Sequence, residues 1–321
     1  KDHLYLFGQT EVTQQLIGML GSLGLNRPRV FDSKSVDREL QSDHLVVNCV
    51  VAGRPLLAQA TLQALGFGNS ISYFDLYRDD HRTFPLPFCT DSALDHQLHR
   101  EHYHWLRAEL ADAESVETLD QLLRLRVDGV PGGQHLNFRL ADQYWDTLDL
   151  SGRRSFFDGG AFDGRNSLDF MKRQADWEYL WMIEPMPEPA ERLRRHFVDR
   201  KIEVLQCALG AQPGSTGMTD CGTQSRIGMG DVVVDVRTID GIVANRRVGY
   251  LKLDIEGAEP DALLGARQTI MRDQPALAIC VYHQQSHFWK VPRIVRSFNP
   301  NYRILLRHYT EGIFETVMYF Y

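Results

Sequence analysis

Two stretches and one histidine concentrate the residues able to do chemistry. In the first stretch, Phe156-Phe157 runs into Asp158-Gly159-Gly160-Ala161-Phe162-Asp163-Gly164, which reads as a strand, an acid at its end and a glycine-rich turn into a helix. Gly160 and Gly164 let the main chain pass close to a bulky ligand, Ala161 and Phe162 line the same turn, and the next helix offers its N-terminal amides to polar groups. Glu184 closes Trp181-Met182-Ile183, one helix and one strand downstream. An acid there accepts hydrogen bonds from both hydroxyls of a ribose. Ribose recognition serves a methyl-donor nucleoside and a nicotinamide dinucleotide alike, but the turn separates them. A dinucleotide calls for a GxGxxG seat under its pyrophosphate, whereas Asp158 and Asp163 would repel that group and Asp163 would suit a cationic end. A tight turn with no ligand is the plain alternative for a glycine cluster standing alone, and Glu184 argues against it.

The second stretch is Leu251-Lys252-Leu253-Asp254-Ile255-Glu256-Gly257-Ala258-Glu259. Strand alternation puts Lys252 and Asp254 on one face, with Glu256 and Glu259 following at the mouth of a sheet. Such acids can orient a cationic sulfur, take a proton from a substrate, or bind a divalent ion through oxygen; no metal ligand set is assigned. For Glu259, capping of the following helix is the competing role. An acceptor hydroxyl needs a general base, for which His283, just after a strand, ranks first, Asp254 second and His308 third, with Glu256 beside them. A hydrogen-bonded structural histidine is the alternative for both imidazoles.

Other clusters carry less. His96, His99, His102 and His104 fall in a charged segment without nearby cysteine and read as a solvated helix, as do Arg192, Arg194 and Arg195. Cys49, Cys89, Cys207, Cys221 and Cys280 form no CxxC pair, fit neither a disulfide framework nor a zinc ribbon, and are assigned no chemistry.

Taken in order, the motifs resemble the FkbM methyltransferase family. The match runs from Asp158 to Gly164 through Ile183-Glu184-Pro185, Ala208-Leu209-Gly210 and Lys252 to Glu259. It continues through Val281-Tyr282-His283 and Leu306-Arg307-His308-Tyr309 to Glu315-Thr316-Val317-Met318-Tyr319. Leu110 to Arg126 and Tyr144-Trp145 resemble the segment that precedes the catalytic domain in long members. The resemblance implies a Rossmann-like fold, S-adenosylmethionine as cofactor, and methyl transfer to a hydroxyl of a sugar, glycan or polyketide-type product. It also implies cofactor contacts at Asp158, Gly160 and Glu184, and Ala208 and Asp254 join that set. Phe162 departs from the family pattern, standing where many members carry Asn. A non-catalytic cofactor-binding scaffold and an NAD-dependent oxidoreductase are the competing functions.

The elements that must hold these residues form two series. Phe156–Asp158, Tyr179–Glu184, Ile202–Ala208, Tyr250–Asp254, Ala276–Val281, Tyr302–His308 and Phe314–Phe320 read as strands, many separated by helices. The expected fold is α/β: a Rossmann-like methyltransferase domain over 151–321, its mainly parallel sheet ending in an antiparallel hairpin. A smaller doubly wound α/β domain is expected over 1–90, from strands at 3–7, 29–32, 44–50 and 71–74, with a helical connecting segment over 91–150. The N-terminal domain lacks the three-glycine fingerprint and is open to substrate recognition, homodimerisation or a degenerate nucleotide pocket. The 321 residues exceed what one core fills efficiently, consistent with two domains. A hydrophobic fraction of 43% and a formal charge of -7 exclude a disordered chain and give no global footprint for nucleic acid. No run approaches the ~18 apolar residues of a membrane span. A soluble, cytoplasmic enzyme with a small-molecule or glycan acceptor is expected.

Overall fold

The computed structural model describes residues 4–35, 44–87, 91–219, 226–228 and 232–321, which leaves Cys89 and Cys221 outside the described residues. The first series is β1 (Leu4–Phe7), α1 (Glu11–Ser22), β2 (Arg29–Phe31), β3 (Leu45–Asn48), α2 (Pro55–Ala64), β4 (Ser70–Ser72) and α3 (Tyr73–Asp79). Its sheet has the order β2-β1-β3-β4 with every pairing parallel. Thr10 caps α1, its hydroxyl accepting from the Thr13 amide while the Thr13 hydroxyl accepts from the Thr10 amide. Tyr5, Phe7, Phe31, Val46, Leu62 and Phe67 close the core beside that sheet. The helices α4 (Ser92–Leu98), α5 (Arg100–Glu109) and α6 (Ala113–Asp128) follow, as the leucine spacing requires.

The second series contains β5 (Ser155–Gly159), α7 (Arg165–Arg173), β6 (Tyr179–Ile183), α8 (Pro187–His196) and β7 (Ile202–Leu205). Next come β8 (Ala208–Leu209), β9 (Gly214–Thr219), β10 (Arg226–Gly228), β11 (Val232–Arg237), α9 (Ile239–Val243) and β12 (Tyr250–Leu253). The chain then forms α10 (Glu259–Leu264), α11 (Arg267–Asp273), β13 (Ala276–Cys280), α12 (His287–Phe298), β14 (Ile304–His308) and β15 (Thr316–Phe320). The large sheet runs β14-β15-β13-β12-β5-β6-β7. Pairing is parallel from β13 to β7 and antiparallel between β13 and β15, so the final strand reverses as expected. Strands β5, β12 and β13 are buried along their whole length, the pattern of a parallel sheet covered on both faces. The Phe156 ring stacks on Phe170 at 4.9 Å and on Tyr250 at 5.1 Å.

One expected strand is divided. The stretch 202–208 splits into β7, at the edge of the large sheet, and β8, which joins a separate sheet of order β10-β9-β11-β8. Alternation alone does not distinguish one bent strand from two strands in different sheets.

The chain folds into two compact units. One contains 1–100, 116–141 and 308–316, and the other contains 101–115, 142–307 and 317–321. Among the described residues, no helix is long and apolar enough to cross a membrane.

Candidate functional site

In the large sheet β6, β5, β12 and β13 are neighbours, so their carboxyl ends stand in one row, each ~4.8 Å from the next. Glu184, Gly160, Asp254 and His283 follow those four ends. The chain winds outward from β5 through β6 and β7 before returning as β12, so the strand order switches between β5 and β12. Open α/β sheets take their ligands at such a switch.

The turn after β5 is shaped by close contact. The amides of Gly160 and Ala161 donate to the Ile183 carbonyl at 3.0 and 2.9 Å. Gly160 has φ 79°, and a Cβ there would overlap the carbonyl oxygen of Asp254. Glycine therefore brings the turn against the end of β12. Gly164, at φ 78°, is required for a different reason: a Cβ would run into the Phe197 ring and Leu193. Packing against α8 and the residue that ends it therefore requires glycine here.

Asp158 is fully buried, its Oδ2 accepting from Ser167 Oγ at 2.8 Å and its Oδ1 from Lys252 Nζ at 3.1 Å. Both oxygens are engaged by the protein and the side chain is fully buried, so the acid helps to position the turn. Lys252 also donates to the carbonyls of Gly159 and Gly160, at 3.1 and 2.8 Å. Burial works against the ammonium charge, but Asp158 and Asp254 more than offset it and raise the Lys252 pKa. Strand spacing put Lys252 on the face of Asp254 without giving it a role; its clamp on the turn needed the sheet register, which sets Lys252 beside Asp158.

Glu184 is buried, its two oxygens accepting from the amides of Phe162 (3.0 Å) and Met186 (2.9 Å). Burial pushes its carboxyl up, against the lowering effect of those amides and of Lys252. Each oxygen keeps a further lone pair, enough for two ribose hydroxyls. Phe162 (φ 43°) is exposed, with the Arg192 guanidinium 5.7 Å from its ring centre. Asp163 is exposed and accepts from the Arg165 amide at 3.0 Å in the first turn of α7. Ala208 is buried in β8, paired with Val236.

A second group lies beyond β12 and β13. Glu259 is completely buried and accepts from the Ile255 amide at 2.9 Å and the Gly257 amide at 3.4 Å. These bonds fix the turn in which Glu256 sits at φ 55°. The Oε1 of Glu259 lies 2.9 Å from His283 Nδ1, and its Oε2 lies 3.3 Å from His287 Nδ1. On the other side of the imidazole, His283 Nε2 stands 3.6 Å from Asp254 Oδ1 and 3.5 Å from Glu256 Oε2. Asp254 accepts further bonds from the hydroxyls of Tyr282 and Tyr144, both at 3.0 Å. The His283 side chain is 1% exposed, whereas those of Asp254 and Glu256 are 24% and 23% exposed. Burial disfavours charge on His283, yet Glu259, then Asp254 and Glu256, raise its pKa to about 9. That shift favours a protonated imidazole at neutral pH, and Asp254 and Glu256 are the partly exposed carboxylates beside it.

His308 lies in a different environment. It is fully buried, with Nδ1 2.8 Å from Thr316 Oγ1 and Nε2 2.9 Å from the Gly312 carbonyl. Burial, with the nearby Arg126 and Arg139, lowers it to about 3, although the Gly312 carbonyl works the other way. It is a neutral structural ring rather than a base. Tyr144 and Tyr282 had no catalytic ranking in the sequence, although both stand in segments that resemble the family, and Glu259 was weighed only among the acids of its stretch and as a helix cap.

The outer clusters stay structural. Arg192, Arg194 and Arg195 pair with Glu188 and Glu191 along α8. His102 lies against Trp289 with ring centres 4.4 Å apart, and His99 faces Asp95. Cys49, Cys207 and Cys280 are buried thiols, and burial pushes Cys49 up to about 12.

This donor set fits S-adenosylmethionine: Glu184 has lone pairs for the ribose, the glycine turn lies at the strand-order switch, and carboxylates suited to a sulfonium follow β12. Residues 158–310 match the model of the methyltransferase FkbM domain. A crystal structure of an FkbM methyltransferase from Methylobacillus flagellatus superposes with a TM-score of 0.75 at 23% identity, covering 100% of this chain and 90% of that one. That likeness concerns the fold. A Podospora anserina methyltransferase, PaMTH1, solved with S-adenosylhomocysteine, gives a TM-score of 0.31 at 10% identity over 69% of this chain and 86% of that one, too weak to bear on function. No curated protein matches the sequence. Residues 158–310 are a methyltransferase FkbM domain, and the cofactor of that domain is S-adenosylmethionine.

Proposed function

We propose that the chain is an O-methyltransferase acting on a hydroxyl of a sugar, glycan or polyketide-type metabolite. The observation that carries this reading is the contact of Gly160 with the end of β12, which sets the cofactor turn beside the partly open carboxylates of Asp254 and Glu256. In this reading Glu184 holds the ribose, and Lys252 and Asp158 fix the turn. Asp254 and Glu256 receive the acceptor hydroxyl, and His283 and Glu259 order them from behind. Transfer forms the bond from acceptor oxygen to methyl carbon as the bond from sulfur to that carbon breaks. The hydroxyl proton passes to a carboxylate within hydrogen-bond reach, and S-adenosylhomocysteine leaves. Holding oxygen, carbon and sulfur in line supplies a large part of the rate.

Calorimetry with S-adenosylmethionine and S-adenosylhomocysteine, followed by mass spectrometry of saccharide and polyketide acceptors, tests the reading. Saturable binding of both nucleosides and a methylated hydroxyl are expected. Binding with no product on any acceptor would favour a cofactor-holding scaffold, and absence of binding would overturn the whole assignment. Glu184→Ala should weaken nucleoside binding about tenfold or more, the order expected when a charge-assisted hydrogen bond is lost.

A further inference from the structure

We infer that the cluster of Asp254, Glu259 and His283, with Glu256 beside the same imidazole, binds one first-row divalent cation. The inference deepens the acceptor-site reading above and rests on it for its catalytic meaning, although cation binding is measurable without any acceptor.

The geometry distinguishes the two sides of His283. At Nδ1 a single carboxylate oxygen, Glu259 Oε1, approaches to 2.9 Å in an ion-pair contact. At Nε2 two carboxylate oxygens converge at 3.5 and 3.6 Å, at or beyond the outer limit of a hydrogen bond. That is the separation between ligands sharing one ion: two bonds of ~2.1 Å opened to roughly 115° place their donor atoms ~3.5 Å apart. The ligand atoms that all lie within 4.8 Å of one another belong to Asp254, Glu259 and His283, the last two buried, and Glu256 joins them through its 3.5 Å approach to the imidazole.

The surroundings have the form of a supported metal site. A metal-bound imidazole almost always gives its other nitrogen to a carboxylate, which fixes ring and tautomer. Here that partner is Glu259, itself held by the amides of Ile255 and Gly257. The Asp254 carboxylate is oriented by the hydroxyls of Tyr144 and Tyr282. The partial exposure of Asp254 and Glu256 leaves the opposite side of the ion for water or an acceptor oxygen. One imidazole with two carboxylates suits Mn²⁺ or Zn²⁺ better than an all-oxygen cage suited to Ca²⁺. A cation there would gather the carboxylates and give a hydroxylated acceptor a coordination position.

The test uses the full chain after treatment with chelator, titrated with Mn²⁺ and Zn²⁺ by calorimetry, with the Mn²⁺ spin-resonance spectrum as a second readout. One equivalent should bind. Glu256→Gln, which keeps side-chain shape and removes a ligand charge, should lower the affinity at least tenfold. Glu259→Gln should lower it by about 10–100-fold, as expected for an outer-shell carboxylate. Thermal unfolding of each variant reports whether the fold persists; where Glu259→Gln fails to fold, Glu256→Gln decides. No saturable binding by the wild-type chain, or binding unchanged in folded Glu256→Gln, overturns the inference. Methyl transfer by a chain that binds no cation would sink the metal and leave the methyltransferase reading intact. Cation binding with no transfer to any acceptor would do the reverse.

Discussion

Replacing Gly160 by alanine tests the join between cofactor turn and reaction site. The residue has φ 79°, where an L side chain costs about 1–2 kcal/mol. Its Cβ would lie 3.0 Å from the carbonyl carbon of Asp254 and overlap the attached oxygen. Non-bonded carbons settle at roughly 3.5–4.0 Å, so the turn or the end of β12 must move by about 0.5–1 Å. Both are main chain and neither has a flexible tip to give way. A displacement near 1 Å can cost about 10²-fold in rate when reacting groups must align. Gly160→Ala is therefore expected to bind S-adenosylmethionine at least about tenfold more weakly, or about 1.4 kcal/mol, and to lose about 100-fold in turnover. Calorimetry and a single-turnover methyl-transfer assay measure the two, with thermal unfolding alongside. Wild-type affinity and turnover in a folded Gly160→Ala would refute the claim that this contact assembles the site.

Three further outcomes follow from buried or spacious positions. Asp158→Ala leaves the Lys252 ammonium, 1% exposed, without its carboxylate, and should cost about 3–5 kcal/mol in denaturant unfolding, with weakened cofactor binding as a secondary effect. His308 stays neutral in the folded chain down to about 3 but protonates near 6.5 when unfolded, so its contribution is present above pH 6.5 and lost as pH falls. By pH 5 that loss is about 2 kcal/mol, and His308→Gln should flatten this part of the stability profile; an unchanged slope would contradict the buried neutral ring. Gly18, inside α1 with nothing within 4 Å of an added Cβ, should gain about 0.5–1 kcal/mol on Gly18→Ala, read as a raised Tm.

The parts of the fold that were legible are those encoded by period. The buried strands around Phe156, Tyr250 and Ala276 are continuous apolar runs, and their alternation with helices left little choice of sheet. The glycine turn and Glu184 were legible because a strand-to-helix turn at a switch point restricts which residues fit. What sequence could not supply was register and depth. Only the pairing of Lys252 with Asp158 across β12 and β5 shows that the first acid of the motif is consumed by a lysine. Ranking His283 as a base required knowing how many carboxylates surround it, and the nearest and farthest of the three stand 24 and 29 positions before it in the chain. His308 carried a family motif, but its ring contacts with Thr310, Gly312 and Thr316 make it a bracket for the 308–316 loop. The small sheet of β8 to β11 was missed because short strands in Gly- and Ser-rich sequence carry little periodicity.

The division of the chain into units bears on excision. Each unit is assembled from three separate segments, so the covalent chain passes between them at 100/101, 115/116, 141/142, 307/308 and 316/317. A fragment cut to begin after residue 141 would discard part of the unit that carries the motifs. It would strip Asp112 from Arg307, where the two make a 2.6 Å ion pair, and Tyr103 from the loop carrying Gln285, to whose carbonyl its hydroxyl donates at 3.1 Å. The Arg307 side chain, only 10% exposed, would be left with much of its charge uncompensated. A linear boundary drawn between the motifs and the preceding helices thus cuts through a three-dimensional body, and such fragments should express as unstable protein even with every motif residue present.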